Sequence, residues 1–398
     1  MPALKILMMG GRRCGKTSAL ASLFEQMING PVKDYFTIKD LTDYEVIKDD
    51  EEQDRLDEKT LELQHMLEAN QFGSNIFLVD QAPTNNFWDY ILHLQKPGTQ
   101  RAFDLLFRDS AGEFFELGNH NGNHNGNHNL YAAETKQFMA TCDVFVIVID
   151  TPYLMAENDP ECKKLCPNSI NIGTNRVKDI YEFLTYIDDN DGKDAKMVIF
   201  VPLKCEKWAK EGKLSEVTKR VEEVYDTHIT ALKAHKKINI SIIPIQTCGN
   251  ILFTEFREPF IYKHGTEEGE GIKCCWIEKG SIIRKENGEH ELASLNEVKQ
   301  DSKAVISGLK ALRPYSWYKV TPGNNNFEPK NCEQLALHVI RFMLEKYKDS
   351  RNGNILQRII NIFSGIGIGY VEDVMSKMRA KKIIKDSGDG IKIIKSFY

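Results

Sequence analysis

The chain has 398 residues, of which 41% are apolar, and a formal net charge of −5. That length suits one large elaborated domain or two ordinary ones, and the mild charge excludes both a basic footprint for nucleic acid and an acidic tail. No apolar run approaches the ~20 residues that cross a bilayer, and Met1–Gly11 lacks the pattern of a secretory leader. The expectation is therefore a cytoplasmic protein with reduced thiols.

Leu4–Met9 is a short apolar run that ends in Gly10–Gly11 and reads as a buried strand entering a loop. Thr17–Met27 has helical apolar spacing, with Leu20, Leu23, Phe24 and Met27 on one face. Asp49–Asn70 is densely charged but carries Leu56, Leu61, Leu63, Met66 and Leu67, which predicts an exposed amphipathic helix. Tyr90–Leu94 and Phe103–Phe107 flank a Pro97–Gly98 turn and predict an antiparallel pair. Beyond them the chain alternates. Val144–Ile149, Met197–Val201 and Ile240–Ile245 are strands, while Arg176–Ile187, Ser215–Ala234 and Cys332–Tyr347 are helices, the last with Leu335, Val339, Ile340, Met343 and Leu344 inward. Such alternation predicts a mostly parallel sheet covered on both faces.

Two regions break the rhythm. Thr254–Tyr318 is rich in Gly, Glu and Lys and reads as an insertion with small strands. In the C-terminal segment, Ile355, Leu356, Ile359, Ile360 and Phe363 make one apolar helical face. Lys381–Lys385 and Ile391–Ile394 flank an Asp-Ser-Gly-Asp-Gly turn and predict a hairpin. Docking on the main domain is the favoured use of the apolar face, ahead of a protein partner or peripheral membrane contact.

Gly10–Gly11–Arg12–Arg13–Cys14–Gly15–Lys16–Thr17, continuing into Ser18, fits the phosphate-loop pattern G-x-x-x-x-G-K-[ST] in full, between an apolar strand and a helix. Glycines let the backbone N–H groups wrap a phosphate. Lys16 brings a point charge to the β- and γ-phosphates. The Thr17 hydroxyl is a magnesium ligand, and the helix directs its positive end at the anion. Arg12 and Arg13 read as solvated charges, with charge neutralisation at the γ-phosphate as the alternative. Asp109, at the end of the apolar Leu105–Phe107 run, is a second magnesium position. Gly112 follows in Asp109–Ser110–Ala111–Gly112–Glu113 and offers an N–H to the γ-phosphate.

This order of motifs, completed by the buried Val144–Asp150 run, resembles the Ras-like G domain of the TRAFAC-class GTPases. The resemblance implies a three-layer α/β P-loop NTPase fold. Its sheet is mostly parallel, with one antiparallel edge strand and helices on both faces. It spans 1–348, with insertions near 30–80, 116–131 and 254–318, and leaves 349–398 as a C-terminal appendage. Leu203–Lys204–Cys205–Glu206 stands at the family's base-specificity motif: Lys204 can lie over a purine, and Glu206 can accept from guanine N1–H and the 2-amino group. Leu203 departs from the family's Asn. Ile245–Gly249, with Thr247 and Cys248, stands at the second base loop. Together with Phe327–Glu333, this altered set is similar to bacterial double-GTPase-type domains.

By the same resemblance Thr84 is the switch I ligand of magnesium, with Thr37 and Thr42 less well placed. Glu113 occupies the position of the water-orienting residue, which implies slow turnover, with Lys16 the other catalytic group. Residues 118–129 repeat Gly-Asn-His-Asn and read as an expanded switch II loop rather than a metal site. Cys162, Cys166 and the pair Cys274–Cys275 lack a second half at zinc-site spacing and read as free thiols. The function expected is a GTP-binding, GTP-hydrolysing switch using Mg2+, with GTP and GDP as ligands and a protein partner at the switches or the tail. The alternatives are a P-loop ATPase or kinase, and a non-catalytic nucleotide-bound scaffold.

Overall fold

The computed structural model describes residues 3–11, 14–38, 88–110, 137–181, 184, 195–257, 260–266, 269–275, 290–293, 314–320, 326–349 and 353–396. The charged segment Asp49–Asn70, the Gly-Asn-His-Asn repeat, Arg12, Arg13, Thr42, Thr84, Gly112 and Glu113 lie outside them.

The molecule is mixed α/β. Its strands are β1 (Leu4–Met9), β2 (Thr37–Ile38), β3 (Trp88–Gln95), β4 (Ala102–Asp109), β5 (Val144–Asp150), β6 (Lys196–Leu203), β7 (Ile238–Ile242), β13 (Ser387–Gly388) and β14 (Ile391–Lys395). They form one sheet in the order β13-β14-β7-β6-β5-β1-β4-β3-β2. Pairing is parallel from β4 through β1, β5 and β6 to β7. Every residue of β5 and of β7 is buried. Successive side chains point to opposite faces, so these strands are covered on both.

Helix α1 (Lys16–Asn29) buries Leu20, Leu23, Phe24 and Met27, the face the spacing predicts. After β5 come three short helices that the sequence reading did not anticipate: α2 (Thr151–Met155), α3 (Pro160–Leu165) and α4 (Asn168–Thr174). Asp159 caps α3 by accepting from Glu161 N–H at 3.0 Å and Cys162 N–H at 3.3 Å. Asp followed by Pro at the first helical position was the available signal. The helix expected at Arg176–Ile187 is helical at 177–181 and at 184, the residues described there.

The single helix expected at Ser215–Ala234 is two. After α5 (Glu206–Lys210), α6 (Leu214–Val224) and α7 (Asp226–Ala234) meet at Tyr225. The Tyr225 ring is fully buried against Phe200 and His228.

The insertion contains the expected small strands. β8 (Ile251–Arg257) pairs antiparallel with β12 (Tyr315–Val320), while β9 (Phe260–Thr266), β10 (Gly269–Cys275) and β11 (His290–Ala293) form a separate sheet. Helix α8 (Cys332–Asp349) returns to the core and buries Leu335, Val339, Ile340, Met343 and Leu344. No helix among the described residues is long and apolar enough to cross a membrane. Cys162 and Cys166 are buried thiols, not joined in a disulfide, and burial pushes the Cys162 thiol up to about 11.

Two expectations are corrected. The sheet has antiparallel strands at both edges, since β3 and β2 continue past β4 while β14 pairs antiparallel with β7. The segment beyond 348, expected as an appendage, therefore contributes to the main sheet. Its helix α9 (Gly353–Phe363) buries Ile359, Ile362 and Phe363, and the Phe363 ring meets Phe103 of β4 at 5.0 Å. Ile360, assigned to the buried face, is 37% exposed. Helix α10 (Ile368–Ala380) leads to the hairpin. Its loop is Asp389–Gly390, with φ of 48° and 74°, the left-handed pair of a two-residue type I′ turn. The first hairpin strand is consequently Ser387–Gly388, within the expected turn.

Asp143 anchors the tail from the start of β5. It is fully buried and holds Lys346 Nζ at 3.3 Å and Arg358 Nη2 at 2.6 Å. Asp143→Ala leaves the buried Lys346 ammonium without its carboxylate, so we expect a loss of about 3–5 kcal/mol in denaturant unfolding.

Candidate functional site

Parallel pairing places the carboxyl ends of β1, β4, β5, β6 and β7 along one edge of the sheet, where open α/β sheets bind ligands. The loop Gly10–Thr17 leaves β1 at that edge. Gly11 is packed so closely that a Cβ would lie 2.0 Å from the Thr174 carbonyl oxygen of α4. Gly15 caps α1 at φ 99°, a left-handed conformation that favours glycine. Lys16 is buried, with its Nζ donating to the carbonyls of Gly11 at 3.3 Å and Gly10 at 3.5 Å.

Thr17 Oγ1 donates to Asp109 Oδ2 at 2.7 Å. Asp109 is 2% exposed, and its Oδ1 has no hydrogen-bond partner among the described residues. Ser110 Oγ donates to Met8 O at 2.6 Å and pins the end of β4 to β1. The result is a hydroxyl and a carboxylate side by side beneath the loop, oxygen donors suited to a hard divalent cation.

Lys204 follows β6 with φ 62° and bonds Asp150 Oδ2 at 2.5 Å. Its stem reaches the loop, since a Cβ on Gly15 would stand 3.7 Å from Lys204 Cε. Ser22 Oγ lies 2.9 Å from Ser18 O and 2.6 Å from Thr247 O, which ties α1 to the loop after β7. Thr247 and Cys248 are both buried there. Cys14 is buried among these groups. Burial raises its thiol pKa, with Lys16 opposing, so a protonated thiol is favoured.

Glu206 has a different environment from the one expected. It is 3% exposed, and its Oε1 accepts from Cys248 N–H at 2.8 Å and Gly249 N–H at 3.4 Å. One carboxylate oxygen thus organises the 247–249 loop instead of standing free for a base. Burial raises its pKa, and the backbone donors act against that rise.

The structure therefore gathers Gly10, Gly11, Cys14, Gly15, Lys16, Thr17, Ser18, Asp109, Lys204, Glu206, Thr247 and Cys248 at one edge. Arg12, Arg13, Thr84, Gly112 and Glu113 fall outside the described residues. Sequence reasoning missed Asp150 as the partner of Lys204, although the carboxylate ends the most apolar strand. It also missed Asn175, whose Oδ1 accepts from Asp150 N–H at 2.7 Å while its Nδ2 donates to Asn171 Oδ1 at 2.8 Å. The Asn171–Asn175 spacing of one helical turn was the available signal.

No protein-family model matches the chain, and no curated protein matches it. Among solved structures it is similar to the GTPase-like domain of S. cerevisiae Ski7, bound to GTP. The two share 10% sequence identity at a TM-score of 0.31, over 82% of this chain and 76% of that one.

Two outcomes follow from this packing. Gly11→Ala drives a methyl group against a backbone carbonyl and should cost about 1–3 kcal/mol in denaturant unfolding. The folded-state pKa of Glu206 is raised above its unfolded value, so the folded state binds the extra proton between the two. Unfolding free energy should therefore fall as pH rises from the ordinary carboxylate range through the raised value, and Glu206→Gln should flatten that slope.

Proposed function

We propose that the chain binds GTP with Mg2+ at Gly10–Thr17 and hydrolyses it slowly as a conformational switch. The observation that carries this reading is the set of Lys16, Thr17 and Asp109 beneath a glycine loop, with Thr17 Oγ1 and Asp109 Oδ2 2.7 Å apart. Lys16 sits on the loop's own carbonyls and is free to exchange them for phosphate oxygens. Thr17 and Asp109 would hold the cation, and Asp109 Oδ1, which has no hydrogen-bond partner among the described residues, supports that assignment. Bound magnesium would neutralise charge on the phosphate oxygens.

Guanine is favoured by Lys204 and Glu206. Asp150 holds the Lys204 ammonium at 2.5 Å, and the Lys204 stem lies beside Gly15; from there it would cover a purine face. The second oxygen of Glu206 accepts from the guanine N1–H edge, whereas adenine presents an acceptor there. Glu113, in place of a neutral water-orienting residue, sets the expectation of slow turnover, and a partner at the switches would raise it.

Isothermal titration with GTP, GDP and ATP in magnesium checks the reading. GTP and GDP should bind at least about tenfold more tightly than ATP, a difference of about 1.4 kcal/mol, and Lys16→Ala should abolish both. Tight ATP binding without guanine nucleotide affinity rejects the GTPase reading. Bound GTP without phosphate release in a turnover assay moves it to a nucleotide-held scaffold.

A further inference from the structure

Tyr318 brings the insertion to the carboxyl edge of the main sheet. It stands on β12, whose pairing with β8 shifts register between Trp317 and Tyr318, where Thr254 is the extra residue of a bulge. Such bulges sharpen the twist of a ribbon and re-aim its side chains. Tyr318 is 3% exposed, and Lys204 Nζ lies over its ring at 5.9 Å from the centroid, within cation–π range.

The ribbon that carries this ring is anchored on the parts of the fold that flank Lys204. Phe253, opposite Tyr318 on β8, packs edge-on against the Tyr318 ring at 6.0 Å and stacks on Trp208 of α5 at 5.9 Å. Tyr153 of α2 donates its hydroxyl to Pro314 O at 2.6 Å, and its ring meets Phe256 of β8 at 4.9 Å. Helices α2 and α5 directly follow β5 and β6, the strands that end in Asp150 and Leu203.

Lys204 needs such support. Its φ of 62° is strained for a residue with a side chain, and strain of that kind persists where the surroundings over-determine it. Asp150 Oδ2 at 2.5 Å is one partner of the ammonium, and the Tyr318 ring is a second. The Lys204 side chain keeps 20% of its surface exposed. A ligand can therefore reach the lysine without reaching the tyrosine beneath it.

We propose that Tyr318 is a positioning residue for the nucleotide: its ring holds the Lys204 ammonium beside Asp150, so that the lysine stem is in place before the base arrives. This rests on the reading of Gly10–Thr17 and Lys204 as a guanine-nucleotide site. A flexible four-carbon stem ordered in advance spares the ligand that cost on binding. The insertion is then the outer support of the base side of the site.

The test is isothermal titration of GTP with magnesium into the full chain and its variants. Tyr318→Leu removes the ring and should weaken GTP binding at least about threefold, whereas Tyr318→Phe, which keeps the ring, should hold it within about twofold of the wild type. In a Lys204→Met background Tyr318→Leu should add no further loss, because the tyrosine acts through the ammonium. Pentafluorophenylalanine at position 318 keeps the ring's size and removes the negative charge of its face. It should weaken binding as Tyr318→Leu does, which keeps the experiment decisive even where Tyr318→Leu fails to fold. The proposal is overturned by unchanged affinity in Tyr318→Leu or in the fluorinated chain, or by a Tyr318→Leu loss that persists in full beside Lys204→Met. A wild-type chain that binds no GTP rejects the nucleotide reading and this role together, while GTP binding indifferent to the ring rejects this role alone.

Discussion

Parallel pairing of β1 between β4 and β5 is the constraint from which the rest of the molecule follows. Parallel neighbours end on the same side, so the loop after Met9, the carboxylate of Asp109, the carboxylate of Asp150 and the Lys204 turn all emerge along one edge. None of these residues is close to the others in sequence. The central strands must be buried on both faces to be stable, and the long apolar runs of β5 and β6 supply that burial. A rigid sheet thereby aligns polar groups that would repel or solvate one another in a free chain.

Around that edge, charge is placed with partners. Asp150 meets Lys204, Asp109 meets the Thr17 hydroxyl, and one oxygen of Glu206 meets two backbone N–H groups. At the opposite end of β5, Asp143 meets Lys346 and Arg358. Buried charge is tolerated only where such partners exist. Asp109 Oδ1, by contrast, has no hydrogen-bond partner among the described residues.

The sequence carried the local features well. The Gly10–Thr17 loop, the α1 face, the β3–β4 pair and the α8 face depend on residues within one or two turns of each other, so periodicity and turn chemistry reveal them. The features it concealed depend on distant pairing. Ile391–Ile394 reads as a strand, but nothing in those residues says that the neighbour is β7, nor that the hairpin turns at Asp389–Gly390. The kink at Tyr225 arises where a buried ring meets Phe200, a contact no helical pattern records. Glu206 was visible as a chemically apt carboxylate, but its engagement by Cys248 N–H depends on how the loop after β7 returns. Asp150 was legible as a strand end and not as a lysine's partner for the same reason.

The tail strand also has a consequence for how the molecule behaves among its own copies. β7 is short, wholly buried and lies last in the parallel run. Uncovered, its outer row of N–H and C=O groups would be a template for a strand from another molecule. β14 fills that row, and beyond it the sheet ends in β13, which is only two residues long. The C-terminal hairpin thus acts as a guard against intermolecular strand addition, so a chain clipped before Ile391 would face aggregation through β7 even with every residue of the phosphate loop in place.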